Sequence, residues 1–196
     1  MTLKELLTSL RTETLRLPGE TAQQQVAGVA ADSRRVQPGF VFVAVRGEKA
    51  DGHAFARDAV ARGALAVVAE RPIDLAAACG LAVVREPRAA LAALCDAFHG
   101  HPSRHLRVTG VTGTKGKSTT CQILRAMIRA AGSDAGLIGT LGYETGRRRV
   151  AASMTTPEAT DIQAFLAEMV RDGLGYAVME VSSHSLDLDR VGYVDF

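Results

Sequence analysis

Between residues 110 and 119 the chain reads Gly110-Val111-Thr112-Gly113-Thr114-Lys115-Gly116-Lys117-Ser118-Thr119, a set of residue types suited to holding phosphate. Glycines let backbone N–H groups turn inward around an anion, and a helix N-terminus placed after them adds its positive dipole end. Lys117 is spaced to reach terminal phosphates, and the Ser118 hydroxyl to ligate Mg²⁺. The usual phosphate-loop spacing asks for glycine where Val111 stands; the nearest glycine, Gly110, falls one residue early. An ordinary glycine-rich turn is the simpler alternative, but the Gly-Lys-Ser run and its flanks favour an ATP site.

Those flanks are the elements that must position the loop. Leu106-Arg107-Val108-Thr109 has strand character, and after the loop Ile123, Leu124, Met127 and Ile128 recur at helical spacing. Further on, Glu180 interrupts an otherwise apolar strand, Ala177-Val178-Met179-Glu180-Val181. A carboxylate buried there is costly unless paired, hydrogen-bonded or bound to a cation. Mg²⁺ held beside Ser118 would satisfy it; a solvent-exposed strand terminus is the alternative. Ser182-Ser183-His184 follows at once and could bind phosphate or sugar, or cap the next turn. Thr155-Thr156 could likewise cap a helix. With no Gly-x-Ser-x-Gly elbow, a serine-hydrolase reading is rejected.

The 196 residues suffice for one good core or two small ones, and 47% apolar with 22% charged residues is ordinary for a globular protein. A formal charge of +2 gives no argument for nucleic acid or a membrane surface. Gly146-Arg147-Arg148-Arg149 lacks interleaved aromatics and reads as a solvated turn. Cys79, Cys95 and Cys121 show no metal-ligand spacing and read as buried free thiols in a reducing compartment. His99, His101 and His105 fall in a proline-containing link without a nearby carboxylate or cysteine, a poor metal site. The apolar N-terminus is interrupted by Lys4, Glu5 and Arg11, so neither a signal peptide nor a membrane span is expected, and the chain reads as cytoplasmic.

In order, Thr2 to Glu5 has capping-box spacing before a helix with Leu3, Leu6, Leu7 and Leu10 on one face. Strands are predicted at 23–31 (weak), 40–45, 65–69 and 81–84, and helices at 51–62, 74–79 (short) and 87–98. Gly100 to Ser103 reads as a link. The second half continues with the loop strand and helix, a strand at 136–139, a long polar segment to Met154, a helix at 160–171 and a strand at 176–181. Strands alternating with helices predict α/β units on mainly parallel sheets, with ligands at the strand C-terminal ends.

These residues resemble the Mur ligases and, in the loop alone, folylpolyglutamate synthases. That loop keeps its early glycine in the shifted place of Gly110; its residue before Gly116 is often asparagine, here Lys115. Asp32-Ser33-Arg34-Arg35-Val36, Pro38-Gly39, Phe42-Val43-Ala44 and Asp51-Gly52-His53 are similar to the Mur N-terminal domain, which folylpolyglutamate synthases lack. Thr155-Thr156-Pro157 and Met179-Glu180-Val181-Ser182-Ser183-His184 narrow the likeness to the branch adding the third residue of the peptidoglycan stem peptide.

The resemblance implies a small N-terminal α/β domain over 1–100 for the UDP-substrate, a link at 101–105, and over 106–196 part of a phosphate-loop ATP-binding domain with a mainly parallel sheet. It implies that Ala31, Ser33 and the segment Glu48-Lys49-Ala50 hold the UDP end of UDP-N-acetylmuramoyl-L-alanyl-D-glutamate. ATP would lie on Gly113, Thr114, Lys115, Gly116, Lys117, Ser118 and Thr119, with Mg²⁺ on Ser118 and Glu180 and catalysis drawing on Lys117 and Glu180. Thr155, Thr156, Ser182 and Arg190 would surround the muramoyl-peptide, Arg190 matching its negative charge; Leu188 stands where some members carry glutamine. The implied reaction activates the D-glutamyl carboxylate as an acyl phosphate, then admits the amine of diaminopimelate or lysine. A monomer is expected at full length, with no nucleic acid and no membrane insertion. Family members continue past Phe196 into a carbamylated lysine, a histidine and a C-terminal amino-acid-binding domain, so these residues alone are expected to bind ligands without turning over. The alternatives are a folylpolyglutamate synthase-like ligase, a non-catalytic nucleotide-sugar binding module and, more distantly, another Mur ligase or a phosphate-loop kinase.

Overall fold

Thr2 caps the first helix, α1 (Leu3–Thr8): its hydroxyl accepts the Glu5 N–H at 3.3 Å while the Glu5 carboxylate accepts the Thr2 N–H at 2.7 Å. This is the reciprocal bond that Thr-x-x-Glu spacing predicts. Leu3, Leu6 and Leu7 turn inward and are fully buried. The structure, a computed structural model, describes residues 1–47 and 50–196. They form two compact units, Met1–Phe98 and His99–Phe196, each on its own five-stranded mixed sheet.

In the first unit α1 is followed by β1 (Thr14–Arg16), α2 (Gly19–Ala22), β2 (Gly28–Ala30), a 3₁₀ turn at Ser33–Arg35 and β3 (Phe40–Val43). A 3₁₀ turn at Gly52–Phe55 leads into α3 (Ala56–Ala61), then β4 (Ala66–Ala69), β5 (Gly80–Val83) and α4 (Pro87–Phe98). The strand order is β1-β5-β4-β3-β2, parallel from β2 to β5, with β1 antiparallel at the edge. Alternation along β3 sends Val41 and Val43 into a core with α1 and α4, and Phe42 with Ala44 into a second core with Ala56 and Ala59 of α3. A sheet covered on both faces explains why its strands read as continuous apolar runs.

Three expectations change here. The helix predicted from residue 51 begins as a 3₁₀ turn, because the Asp51 side chain takes the His53 N–H and holds the chain out of α geometry until Ala56. The helix predicted at 74–79 does not form; Leu75 and Cys79 sit in irregular chain and are buried because they anchor it to the sheet. The weak strand at 23–31 contracts to β2, and the unpredicted β1 has every side chain exposed, so only its pairing with β5 defines it.

The second unit runs through a 3₁₀ turn at Pro102–His105, β6 (Arg107–Val111), α5 (Lys117–Ala130), β7 (Ala135–Gly139), β8 (Gly142–Glu144) and β9 (Arg149–Val150). It ends with α6 (Ala159–Arg171), β10 (Tyr176–Glu180) and α7 (Ser183–Asp187). The order is β6-β10-β7-β8-β9: β10 enters between two earlier strands and is parallel to both, and β7, β8 and β9 form an antiparallel meander. On one face Ile138, Ala177 and Met179 pack with Ile162, Phe165, Leu166 and Met169 of α6. On the other, Leu137 and Val178 meet Cys121 of α5.

The polar segment before Met154 is therefore structured, as β8 and β9. Each arginine of its turn has a carboxylate: Arg147 and Asp172 at 3.5 Å, Arg148 and Glu168 at 2.8 Å, Arg149 and Glu144 at 3.6 Å. All three cysteines are buried, and none is in a disulfide. Among the described residues no helix is long and apolar enough to cross a membrane.

Candidate active site

Strand alternation decides where Glu180 points. Tyr176 and Val178 face α5, so Glu180, two residues further on the same strand, faces α5 as well, and there the first turn of that helix presents Ser118. Glu180 is 3% exposed, which removes the exposed-terminus alternative. Its Oε2 accepts the Ser118 hydroxyl at 3.0 Å and its Oε1 the Thr140 N–H at 2.8 Å; the Thr140 hydroxyl lies 3.2 Å from Oε2. Gly139 gives the carboxylate its space, since a Cβ there would overlap Oε1. Burial first, and the Glu180 charge second, push the neighbouring Cys121 thiol up to about 11, so Cys121 stays protonated and inert.

The loop before α5 is exposed from Thr112 to Gly116. Gly116 turns the chain into the helix at φ +81°, a left-handed conformation that glycine adopts freely, and no side chain caps the first helical amides. Gly113, Thr114, Lys115 and Thr119 are thus exposed beside the uncapped first amides of the helix. Lys117 Nζ donates to the Gly113 carbonyl at 2.8 Å, folding back over its own loop. The early glycine has a packing reason: a Cβ on Gly110 would sit 2.6 Å from the Phe196 ring and 3.1 Å from Val181 Cγ2.

Thr155 and Thr156 do not cap α6; that helix starts from Glu158. Thr156 Oγ1 donates to the Glu180 carbonyl at 2.9 Å and accepts the Ser182 N–H at 3.1 Å, joining two chain segments at the end of β10. Thr155 Oγ1 lies 3.1 Å from Thr140 Oγ1. The Ser182 hydroxyl caps α7 by accepting the Ser185 N–H at 3.1 Å. Arg190 donates to the Thr156 carbonyl at 3.2 Å and pairs with Glu158 at 2.9 Å, while its Nε is buried without a partner. Ser118, Glu180, Thr155, Thr156, Ser182 and Arg190 are thereby linked around one strand end. Thr140, which joins Glu180 to Thr155, escaped sequence reasoning; its signal is a Gly-Thr pair closing a fully buried strand.

The residues expected from the sequence to hold the UDP end lie in the first unit. Ser33 is buried at the start of its 3₁₀ turn, Ala31 is half-buried just after β2, and Ala50 is exposed. Glu48 and Lys49 lie outside the described residues. Next to Ala50 in the chain, Asp51 accepts the His53 N–H at 3.0 Å, the His53 ring at 2.6 Å and Arg71 at 2.9 Å, which holds its carboxyl far below the usual range. The other face of the His53 ring is fixed by the Glu70 N–H, at 3.2 Å from Nε2.

A strand, a glycine-rich loop and a helix opening on lysine and serine, with a buried acid on the adjacent parallel strand, is the architecture of a phosphate-loop domain. Comparison with known proteins narrows the class. The description "Mur ligase middle domain" fits residues 111–196, and "Mur ligase family, catalytic domain" fits residues 25–99. The chain is 41% identical over 196 residues to the UDP-N-acetylmuramoyl-L-alanyl-D-glutamate--2,6-diaminopimelate ligase of Syntrophomonas wolfei, covering 100% of this chain and 40% of that protein. It is 47% identical over 190 residues to the UDP-N-acetylmuramyl-tripeptide synthetase of Deinococcus radiodurans, covering 93% and 39%. A solved structure of a UDP-N-acetylmuramoyl-L-alanyl-D-glutamate--2,6-diaminopimelate ligase matches with TM-score 0.78 at 25% identity, over 98% of this chain and 38% of that one. The MurF ligase of Thermotoga maritima in complex with ADP matches with TM-score 0.53 at 25% identity, over 85% and 33%. The chain belongs to the Mur ligase family. It spans about 40% of the length of these curated relatives.

Proposed function

We propose that these residues supply the UDP-substrate and ATP-binding parts of an ATP-dependent amide ligase of peptidoglycan synthesis. The reaction adds diaminopimelate to the D-glutamyl carboxylate of UDP-N-acetylmuramoyl-L-alanyl-D-glutamate. One observation carries the reading: the buried Glu180 carboxylate touches Ser118 of the phosphate loop on one side, while its own main chain and Thr140 hold Thr156 and Thr155 on the other. Phosphate-binding and substrate-binding residues then meet where a carboxylate would receive a phosphoryl group. Relatives named for 2,6-diaminopimelate at 41% and 44% identity support the choice of amino acid. On this reading residues 1–100 bind the UDP end through Ala31, Ser33 and Glu48-Lys49-Ala50, residues 101–105 link, and residues 106–196 bind ATP. Substrates of this class are made in the cytoplasm, which is where the reading places the chain.

A carboxylate is a poor electrophile, so the ligase first transfers the terminal phosphoryl group of ATP onto it; the amine then attacks the acyl phosphate and phosphate leaves. Lys117 now rests on a neutral carbonyl, and moving Nζ to a phosphate oxygen exchanges that acceptor for a charged and stronger one. The free amides at the start of α5 face the same phosphates. Ser118 and Glu180 offer two hard oxygen donors 3.0 Å apart, a fit for Mg²⁺, which would neutralise phosphate charge during transfer. Arg190, Thr155, Thr156 and Ser182 would orient the muramoyl-peptide so that its carboxylate oxygen meets the phosphoryl group in line.

Thermal unfolding of the chain tests this with UDP-N-acetylmuramoyl-L-alanyl-D-glutamate, UDP and MgADP in parallel. A ligand at a hundred times its dissociation constant stabilises the folded state by about 2.7 kcal/mol, a readable shift in Tm. MgADP and the muramoyl-dipeptide are expected to shift it, the dipeptide more than UDP alone. A cooperatively folded sample that responds to none of them would sink the reading.

A further inference from the structure

Gly139 and Gly142 pair across the tight turn between β7 and β8, which leaves Thr140 and Leu141 as its two central residues. Two-residue hairpin turns favour glycine, asparagine and aspartate, so turn chemistry alone does not ask for threonine at 140. The side chain is nonetheless engaged twice, by Glu180 Oε2 at 3.2 Å and by Thr155 Oγ1 at 3.1 Å, while the Thr140 N–H holds Glu180 Oε1 at 2.8 Å.

Counting protons gives the contacts a direction. As a carboxylate Glu180 only accepts, so Ser118 and Thr140 both donate to Oε2. The Thr140 oxygen then has only lone pairs left for Thr155, and Thr155 must donate to it. The chain of hydroxyls therefore runs Thr155 to Thr140 to Glu180, with every proton committed. Drawing the carboxylate toward a cation at Ser118 would pull on the Thr140 hydroxyl and, through it, orient Thr155.

We propose that Thr140 is a positioning residue that couples the nucleotide side of the site to the substrate side, through Glu180 and Thr155. The inference rests on the ligase reading above, and it goes further: MgADP and the muramoyl-dipeptide alter each other's affinity, and the Thr140 hydroxyl carries that effect. Coupling of this kind is reciprocal and usually amounts to about fivefold or more.

The test is calorimetric titration of the chain with UDP-N-acetylmuramoyl-L-alanyl-D-glutamate, with and without saturating MgADP, and the converse titration. Wild-type chain is expected to show the same factor, about fivefold or more, in both directions. Thr140→Val, which keeps the shape and removes the hydroxyl, should bring it below about twofold, and Thr140→Ser should restore it. Thr140→Val combined with Thr155→Val should lose no more coupling than either alone, because both break one relay. Thr140 lies in an exposed turn, so these variants are expected to fold, and their unfolding curves check it. Independent binding of the two ligands in wild type, coupling that survives Thr140→Val, or failure of serine to restore it each overturn the relay alone. Absence of binding by either ligand overturns the ligase reading, and the relay with it.

Discussion

The two sheets are near-copies in plan and opposites in detail. Each has five strands, a parallel part and an antiparallel part. In the first, β2, β3, β4 and β5 lie side by side in chain order, and β3, β4 and β5 carry only apolar residues and glycine. In the second, the chain passes from β6 over one place to β7 and later returns to fill the gap with β10. That reversal opens a crevice at the strand C-terminal ends, where ligands bind in open α/β sheets. Glu180 ends the inserted strand, and Ser118 opens the helix beside it. The second sheet also carries a largely buried ion pair, Arg125 with Glu144 at 2.6 Å. Topology, more than composition, separates a sheet whose central strands are wholly apolar from one that brings charged groups into its core.

If that contrast is right, the two cores should fail in different ways. In the first, Phe42→Ala removes a fully buried ring between β3 and α3, and should cost about 3–5 kcal/mol, read as a lower urea midpoint. In the second, Arg125→Met should cost about 3 kcal/mol although it replaces one long side chain by another. It leaves the Glu144 carboxylate with Arg149 at 3.6 Å and strips the Ala135 carbonyl of its 2.9 Å donor. An Arg125→Met chain as stable as wild type would show that the pair is ornamental and the two cores alike.

Glycines sharpen the contrast at smaller cost. Gly139→Ala drives a Cβ into Glu180 Oε1, so it should lose about 1–3 kcal/mol by overpacking and weaken MgADP binding about tenfold. Gly80→Ala brings a Cβ to 3.0 Å from Ala66 Cβ in the first sheet. It should lower stability and leave MgADP affinity within about twofold of wild type, since the atoms nearest that Cβ, on Ala66, Leu17 and Leu65, all belong to the first unit. Equal losses of nucleotide affinity in the two variants would mean that Gly139 acts through general destabilisation.

What the sequence disclosed, and what it hid, follows the same division. Lys117 and Ser118 were legible because helix N-terminal chemistry is local, and Glu180 because an acid inside an apolar strand violates a pattern. The alternation even assigns Glu180 to the α5 face. Thr140 was hidden, since its role depends on β7 lying beside β10, a neighbour 40 residues away in sequence. Helical spacing found α5 but left its packing open: Ile123 and Met127 are 55% and 62% exposed, because periodicity reveals an apolar stripe without saying what covers it. The failed helix at 74–79 errs in the other direction, its apolar residues anchoring irregular chain to the sheet.

The smallest effect concerns a polar cluster beside the first sheet, around Asp51. Asp51 accepts three donors, from the His53 backbone, the His53 ring and Arg71, and these hold its carboxyl far below its ordinary value of 3.8. A depressed folded pKa means that the ionised form is favoured by folding. The stabilisation it brings is therefore complete above about pH 5 and is lost as the pH falls below 3.8 toward the folded value. Asp51→Asn keeps an acceptor for the His53 N–H and removes the charge. The difference in urea midpoint between wild type and Asp51→Asn should stay constant from neutral pH to about pH 5 and shrink through the acid range. A difference that does not change with acid would assign the contribution of Asp51 to its turn geometry rather than to its charge, and would widen the contrast with the second unit.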